Sequence, residues 1–135
     1  MWAMDALDPD QADPLEIVIV DPDDLVRESL IRLLSIGRRI RVVGAAGETG
    51  GALRLVEALQ PHVVVVDPRL PELASGFDFI KRVRTLAPAT AVLVIGPTDI
   101  VEQVTASGGF DGCVRKTFKP DDLTAAILAC RRDAA

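Results

Sequence analysis

The chain has 135 residues, enough for one domain with a sizeable core, and its 49% hydrophobic and 26% charged residues exclude a disordered chain. No apolar run approaches the roughly 20 residues a membrane helix needs, and the start of the chain is acidic where a secretory signal would be basic and then apolar. The formal net charge of -5 is uneven: of 20 acids, Asp5, Asp8, Asp10 and Asp13 lie in residues 1–14 without a base, leaving 16 acids against 15 bases beyond them. Residues 1–14, with Pro9 and Pro14, therefore read as an acidic flexible leader, and residues 15–132 as the single domain. A cytoplasmic protein without membrane contact is the expectation. No basic footprint for nucleic acid is present. Cys113 and Cys130 lack metal-site spacing and read as two buried, reduced thiols.

Apolar runs alternate with helix-period segments along the whole domain. Leu15 to Val20 is a short strand ending in an acid. From about Asp23 to Ser35, the residues Val26, Leu30, Leu33 and Leu34 fall on one helical face, which Gly37 closes. Ile40 to Ala45 is a second strand. Thr49 is placed to cap a helix carrying Leu53, Val56 and Leu59, ended by Pro61. The β-branched run His62 to Val66 fits a central strand buried on both faces. A long loop is predicted from Pro68 to Gly76. Phe77, Ile80, Val83 and Leu86 then make a third helical stripe. Ala91 to Ile95 is a fourth strand, followed by a weaker helix from about Asp99 to Ser107 and a fifth strand over Phe110 to Lys116. Pro120 opens the last helix, where a missing N–H costs little, and Leu123, Ile127 and Cys130 supply its apolar face.

Five βα units in series predict an α/β fold with a doubly wound, five-stranded parallel sheet. In such sheets the functional crevice lies at the carboxyl ends of the strands. That rule selects Asp21 to Asp24, Asp67 to Arg69, Gly96 to Thr98, and Lys116 with Thr117. Carboxylates from strands one and three would meet a lysine from strand five there. Such a cluster suits a hard cation and a phosphoryl group, with an aspartate as nucleophile. No glycine-rich phosphate loop accompanies it, which argues against a nucleotide or flavin site.

The stretches IVIVDPDDLVRESL (17–30), PHVVVVDPRLP (61–71), GFDFIKRVR (76–84), AVLVI (91–95), DGCVRK (111–116) and PDDL (120–123) together resemble the receiver domain of two-component response regulators over about residues 15–132. The resemblance implies a flavodoxin-like strand order 2-1-3-4-5. It implies that Asp67 accepts a phosphoryl group from a histidine kinase with magnesium bound. It also implies that Asp21, Asp67 and the backbone carbonyl of Arg69 are metal ligands and that Lys116 contacts the phosphoryl group.

Three positions depart from the family. Pro22 replaces its second acid, Gly96 its strand-four hydroxyl residue, and Cys113 its strand-five aromatic. Thr98, two residues beyond Gly96, is the nearest hydroxyl. The segment LPELASG replaces a glycine-bearing loop with one residue fewer. Two unit charges about 4 Å apart interact by about 4 kcal/mol at an effective dielectric near 20, and each 1.4 kcal/mol or so is tenfold in affinity. Loss of one carboxylate at Pro22 therefore implies weakened or absent magnesium binding unless Asp23 or Asp24 replaces it. Asp21 is read either as a metal ligand or as a cap of the first helix, and Asp23 and Asp24 as first-turn acids. His62 is read as a surface residue, the four phenylalanines, Phe118 among them, as packing residues, and Trp2 as part of the leader.

Two functions are expected from this pattern. One is a phosphoaccepting receiver, not itself an enzyme, that takes a phosphoryl group on Asp67 from a histidine kinase and signals through a surface change. The other is a degenerate pseudo-receiver that binds protein partners without phosphorylation. A homodimer is compatible with either. DNA is expected to be contacted only through an output domain not present in this chain.

Overall fold

The computed structural model describes residues 13–116 and 119–132. Most of the leader, with Trp2, and the residues Thr117 and Phe118 lie outside the described residues. The described elements alternate as β1 (Leu15–Val20), α1 (Asp24–Leu34), β2 (Ile40–Ala46), α2 (Thr49–Leu59), β3 (Val63–Val66), α3 (Leu73–Leu86), β4 (Ala91–Gly96), α4 (Thr98–Ser107), β5 (Gly112–Arg115) and α5 (Pro120–Cys130). The strands form one parallel sheet in the order β2-β1-β3-β4-β5. The doubly wound α/β architecture and the expected order are both present. No described helix is long and apolar enough to cross a membrane.

Side-chain alternation along the strands divides the core into two layers. Val18, Val20, Val64, Val66, Val92 and Val94 face α2, α3 and α4, where they meet Val56, Phe79, Ile80, Val83, Ile100 and Val104. Ile17, Ile19, Val63, Val65, Leu93 and Ile95 face α1 and α5, meeting Leu30, Leu34, Leu123 and Ile127. Both faces being covered explains why β1, β3 and β4 are near-continuous apolar runs. Phe79 is buried, while Phe77 and Phe110 pack against the first layer from its margin.

Several boundaries differ from the sequence reading. The cap of α1 is Asp23, not Asp21: Asp23 Oδ1 accepts from the N–H groups of Leu25 (2.9 Å) and Val26 (3.1 Å). Asp21 instead accepts from the Asp23 N–H at 2.9 Å, an Asx turn inside the loop. The cap of α2 is Glu48, whose longer carboxylate reaches the Gly51 N–H at 3.1 Å, and Thr49 is the first helical residue. Cys113 is only half-buried, lying on the edge strand β5, whereas Cys130 is buried as expected. Both thiols are unpaired, and burial pushes Cys130 up to about 11.

The predicted loop up to Gly76 is shorter than expected, because α3 begins at Leu73 and Gly76 lies inside it. A Cβ on Gly76 would stand 1.7 Å from the Pro68 carbonyl oxygen. The glycine therefore serves close packing of α3 onto the loop that follows Asp67, and its helix cost is accepted for that contact. Replacement by alanine should cost about 2–3 kcal/mol despite alanine's better helix propensity. Gly50→Ala, where a Cβ meets nothing nearer than Glu48 Oε1 at 3.7 Å, should be neutral or stabilising by up to about 1 kcal/mol. Urea unfolding of the two variants checks the contrast; equal effects would refute the packing role.

The opposite end of the sheet is held by Asp111. Its Oδ2 accepts from Arg84 Nη2 (2.6 Å) and the Val92 N–H (2.7 Å), and its Oδ1 from Arg132 Nε (3.0 Å). One carboxylate thus ties α3, β4 and the residues after α5 together. Burial pushes the Asp111 carboxyl up, but the Val92 N–H and the Arg84 and Arg132 guanidiniums outweigh it and hold it below the usual carboxylate range. A depressed folded value stabilises the fold above the unfolded value, near 3.9, and that stability drains as pH falls through the folded value. Asp111→Asn should therefore lose about 1–2 kcal/mol at pH 7, and the gap from the parent protein should close below about pH 4. Urea midpoints measured from pH 7 to pH 3 test this, and a gap constant over that range would rule out the charge.

Candidate functional site

Three ladder bonds continue just past the ends of the strands and place the site. The Asp21 N–H donates to the Ala46 carbonyl (3.1 Å), the Asp67 N–H to Val20 (2.9 Å) and the Lys116 N–H to Gly96 (2.8 Å). Val20 pairs with Val66 across β1 and β3, so the residues that follow the two strands, Asp21 and Asp67, stand side by side. Lys116 follows β5 and reaches back over β4 to both.

Lys116 Nζ lies 2.7 Å from Asp21 Oδ2 and 2.7 Å from Asp67 Oδ2. The directed hydrogen bond is the one to Asp67. Asp21 Oδ2 has no donor aligned for a hydrogen bond, so its attraction to Lys116 is that of an ion pair. The Asp21 and Asp67 side chains are each 1% exposed and that of Lys116 is 13% exposed. Charges enclosed this far need partners.

Arg69 is the fourth member and was not foreseen in this role. Its Nη2 donates to Asp67 Oδ2 at 2.6 Å, and its Nε and backbone N–H each donate to Oδ1 at 3.0 Å. This is a bidentate guanidinium–carboxylate fork, the strongest common form of such a pair. Burial raises the Asp67 carboxyl, but the bonds from Arg69 and Lys116 outweigh it and keep the group below the ordinary range. The same contact raises Arg69. Two acids and two bases leave the cluster neutral. An arginine two residues after a strand-end aspartate was the available signal, since the loop turns back over that short distance.

Arg27 is a second residue that pattern reading missed. Its Nη1 donates to the Asp21 carbonyl at 2.7 Å, and its Nη2 pairs with Asp24. Gly47 leaves it room, because a Cβ there would lie 2.6 Å from Nη1. Arg27 thus anchors the loop bearing Asp21 from below. Asp24 is spent on this pair, and Asp23 Oδ1 on the cap of α1.

The departing positions are also placed. Pro22 borders the cleft without a carboxylate, and the cleft, of about 460 Å³, opens over Asp21, Asp67, Arg69 and Lys116. Gly96 is buried at the end of β4, and a Cβ there would stand 3.1 Å from Ile100 Cγ2. A hydroxyl side chain there would therefore need Ile100 of α4 to give way by a few tenths of an ångström. Thr98 is exposed at the start of α4. Cys113, on β5, pairs with Val94 of β4 and packs beside the layer that holds Ile100. Leu70–Pro71 is cis, whereas the bonds preceding Pro22, Pro68 and Pro97 are trans. His62 lies at the opposite end of β3, exposed, with Nδ1 accepting from the Glu16 N–H at 2.9 Å.

The donor set does not fit a divalent ion in this arrangement. Among the described residues no three His, Cys, Asp or Glu side chains are grouped to hold one. Both oxygens of Asp67 are engaged by cations, and Asp21 is paired with Lys116. A magnesium ion needs oxygen ligands not already neutralised.

A buried strand-end aspartate, a second acid beside it and a lysine from β5, on a sheet of order 2-1-3-4-5, define a receiver. The profile of the response regulator receiver domain matches residues 17–128, and the chain belongs to that family, whose members are signalling domains of two-component systems. The chain is 31% identical over 125 residues to the probable transcriptional regulatory protein NarL of Mycobacterium tuberculosis, covering 90% of this chain and 57% of that protein. It is 28% identical over 120 residues to protein-glutamate methylesterase/protein-glutamine glutaminase 2 of Saccharophagus degradans, covering 89% of this chain and 34% of that protein. The chain thus spans about a third to just over half of the length of these curated relatives. The solved signal receiver domain of the putative response regulator NarL from Mycobacterium tuberculosis superimposes with a TM-score of 0.71 at 29% identity, covering 88% of this chain and 97% of that one.

Removing Lys116 leaves Asp21 enclosed without its cation. Lys116→Met should cost about 3 kcal/mol at pH 7. In an Asp21→Asn background the same change should cost clearly less, since the one stranded charge is gone while Asp67 keeps its fork from Arg69. Urea unfolding of the four proteins in the cycle reads the difference, and additive losses would deny the Asp21–Lys116 coupling.

Proposed function

We propose that residues 15–132 act as a phosphoaccepting receiver in which Asp67 takes a phosphoryl group from a histidine kinase. The observation that carries this reading is the Asp67 carboxylate at the C-terminal end of β3, ionised and held between two cations at the floor of an open cleft. A nucleophile must be deprotonated, and Arg69 and Lys116 favour that form at neutral pH. One Asp67 oxygen forms the new P–O bond while the P–N bond to the donor imidazole breaks, and the leaving imidazole takes up a proton. Arg69 must lift from Asp67 to admit the group; its side chain is 40% exposed and long enough to do so. Both cations then lie where they offset charge on the phosphoryl oxygens.

In this reading the domain is a phosphoacceptor and not an enzyme by itself, and magnesium contributes weakly. Its family ligands would be Asp21, Asp67 and the Arg69 carbonyl, with Asp23 as a further acid lining the cleft. The signal leaves through the α4–β5–α5 surface. Supporting this route, the Lys116 N–H is bonded to the Gly96 carbonyl, and Gly96 abuts Ile100 of α4. A shift of Lys116 toward a phosphoryl group therefore bears directly on α4. Contact with DNA belongs to an output domain, not to these residues.

Incubation with a small phosphodonor, followed by intact-mass analysis, should give one phosphoryl adduct that Asp67→Ala abolishes. No adduct under conditions that label an ordinary receiver would replace this reading with the pseudo-receiver, a domain that binds partners without phosphorylation.

A further inference from the structure

We propose that Arg69 is the resident cation of this pocket: it holds Asp67 where a divalent ion would otherwise sit, and it keeps such an ion out. The inference goes beyond phosphoacceptance and does not require that Asp67 be phosphorylated.

Geometry and charge lead to it together. The fork from Arg69 uses both Asp67 oxygens, with Nη2 on Oδ2 at 2.6 Å and Nε on Oδ1 at 3.0 Å. The backbone N–H of the same residue adds a third bond to Oδ1 at 3.0 Å. Lys116 completes the set on Oδ2 and balances Asp21. The four side chains sum to zero charge, so an arriving divalent ion would have to enter a neutral cluster and displace a guanidinium from its carboxylate. Guanidinium is the side chain suited to this place, being planar, always charged and weakly hydrated, so it can sit against a buried carboxylate at little desolvation cost. The position that could have tipped the balance toward a metal holds Pro22, which offers neither a carboxylate nor an N–H. Asp23 and Asp24 are held elsewhere, Asp23 Oδ1 by the cap of α1 and Asp24 Oδ1 by Arg27.

Arg69 is thus a positioning residue for Asp67, acting through charge and a fixed fork. Its removal has an effect that a merely structural arginine would not have. It leaves the pocket with a net charge of -1 and both Asp67 oxygens open on one side, which is a better cation site than the parent protein offers.

The test is a Mn2+ titration of the full chain, followed by the electron paramagnetic resonance of the free ion, with Mg2+ competition. The parent protein should show only weak binding. Arg69→Ala should bind Mn2+ at least tenfold more tightly, and Asp67→Asn in that background should abolish the gain. Arg69→Lys, which keeps a cation, should stay near the parent. Circular dichroism establishes that each variant is folded, and Arg69→Gln replaces the alanine variant if that one is not. Binding by the parent as tight as by the variant would overturn the proposal, and so would a folded variant with no gain. Neither result bears on phosphoryl labelling of Asp67, which fails or succeeds by its own mass measurement.

Discussion

The structure around the site turns on one constraint: two carboxylates enclosed to 1% exposure must each meet a cation. Isolated ionised groups at that depth would cost many kcal/mol, and even paired ones gain little net stability unless hydrogen bonds complete them. The surrounding features follow from this demand. Lys116 is pinned through its backbone to Gly96, so its ammonium stands between Asp21 and Asp67. Arg69 folds back over Pro68, the one residue that separates it from Asp67. Arg27 supports the Asp21 loop by its carbonyl, and Gly47 and Gly76 give up side chains so that the loops can close around the charges.

The same demand shows why the departures from the family pattern form a set. Where one acid is missing at Pro22, the cluster has two negative charges instead of three, and two basic side chains suffice to neutralise it. Where the hydroxyl is missing at Gly96, Ile100 closes the space and α4 sits directly on the end of β4. At this edge of the sheet a backbone bond from Lys116 to Gly96 and the aliphatic side chain of Ile100 stand where the family has a hydroxyl and an aromatic ring. The pocket keeps the receiver arrangement of Asp21, Asp67 and Lys116, with its two acids balanced by two basic side chains of the protein.

Most of the architecture was legible in the sequence, and for a physical reason. Apolar runs of four to six residues ending in Asp21, Asp67 and Gly96 mark buried parallel strands, and helical stripes between them leave few topologies open. The misread points were local competitions. Asp21, Asp23 and Glu48 are all residues able to cap a helix, and which of them does so depends on where the helix starts, to within one turn. Gly76 looked like a loop residue because its purpose, contact with the Pro68 carbonyl, exists only once α3 has packed.

For the site, the sequence by itself determined the identity and order of the strand-end residues, Asp21, Asp67, Gly96 and Lys116, because parallel register brings equivalent ends to one edge. It also determined what is absent there, a carboxylate at Pro22 and a hydroxyl at Gly96. Only the tertiary structure decided which cations neutralise which acids. Arg69 is a residue that spacing treats as a loop side chain, and its fork onto Asp67 depends on the direction of the chain after β3. Arg27 is separated from the Asp21 carbonyl by a helical turn, and its bond depends on the packing of α1 against Gly47. Charge pairing of this kind is settled by distances of a few ångströms in three dimensions, and one-dimensional spacing does not encode them.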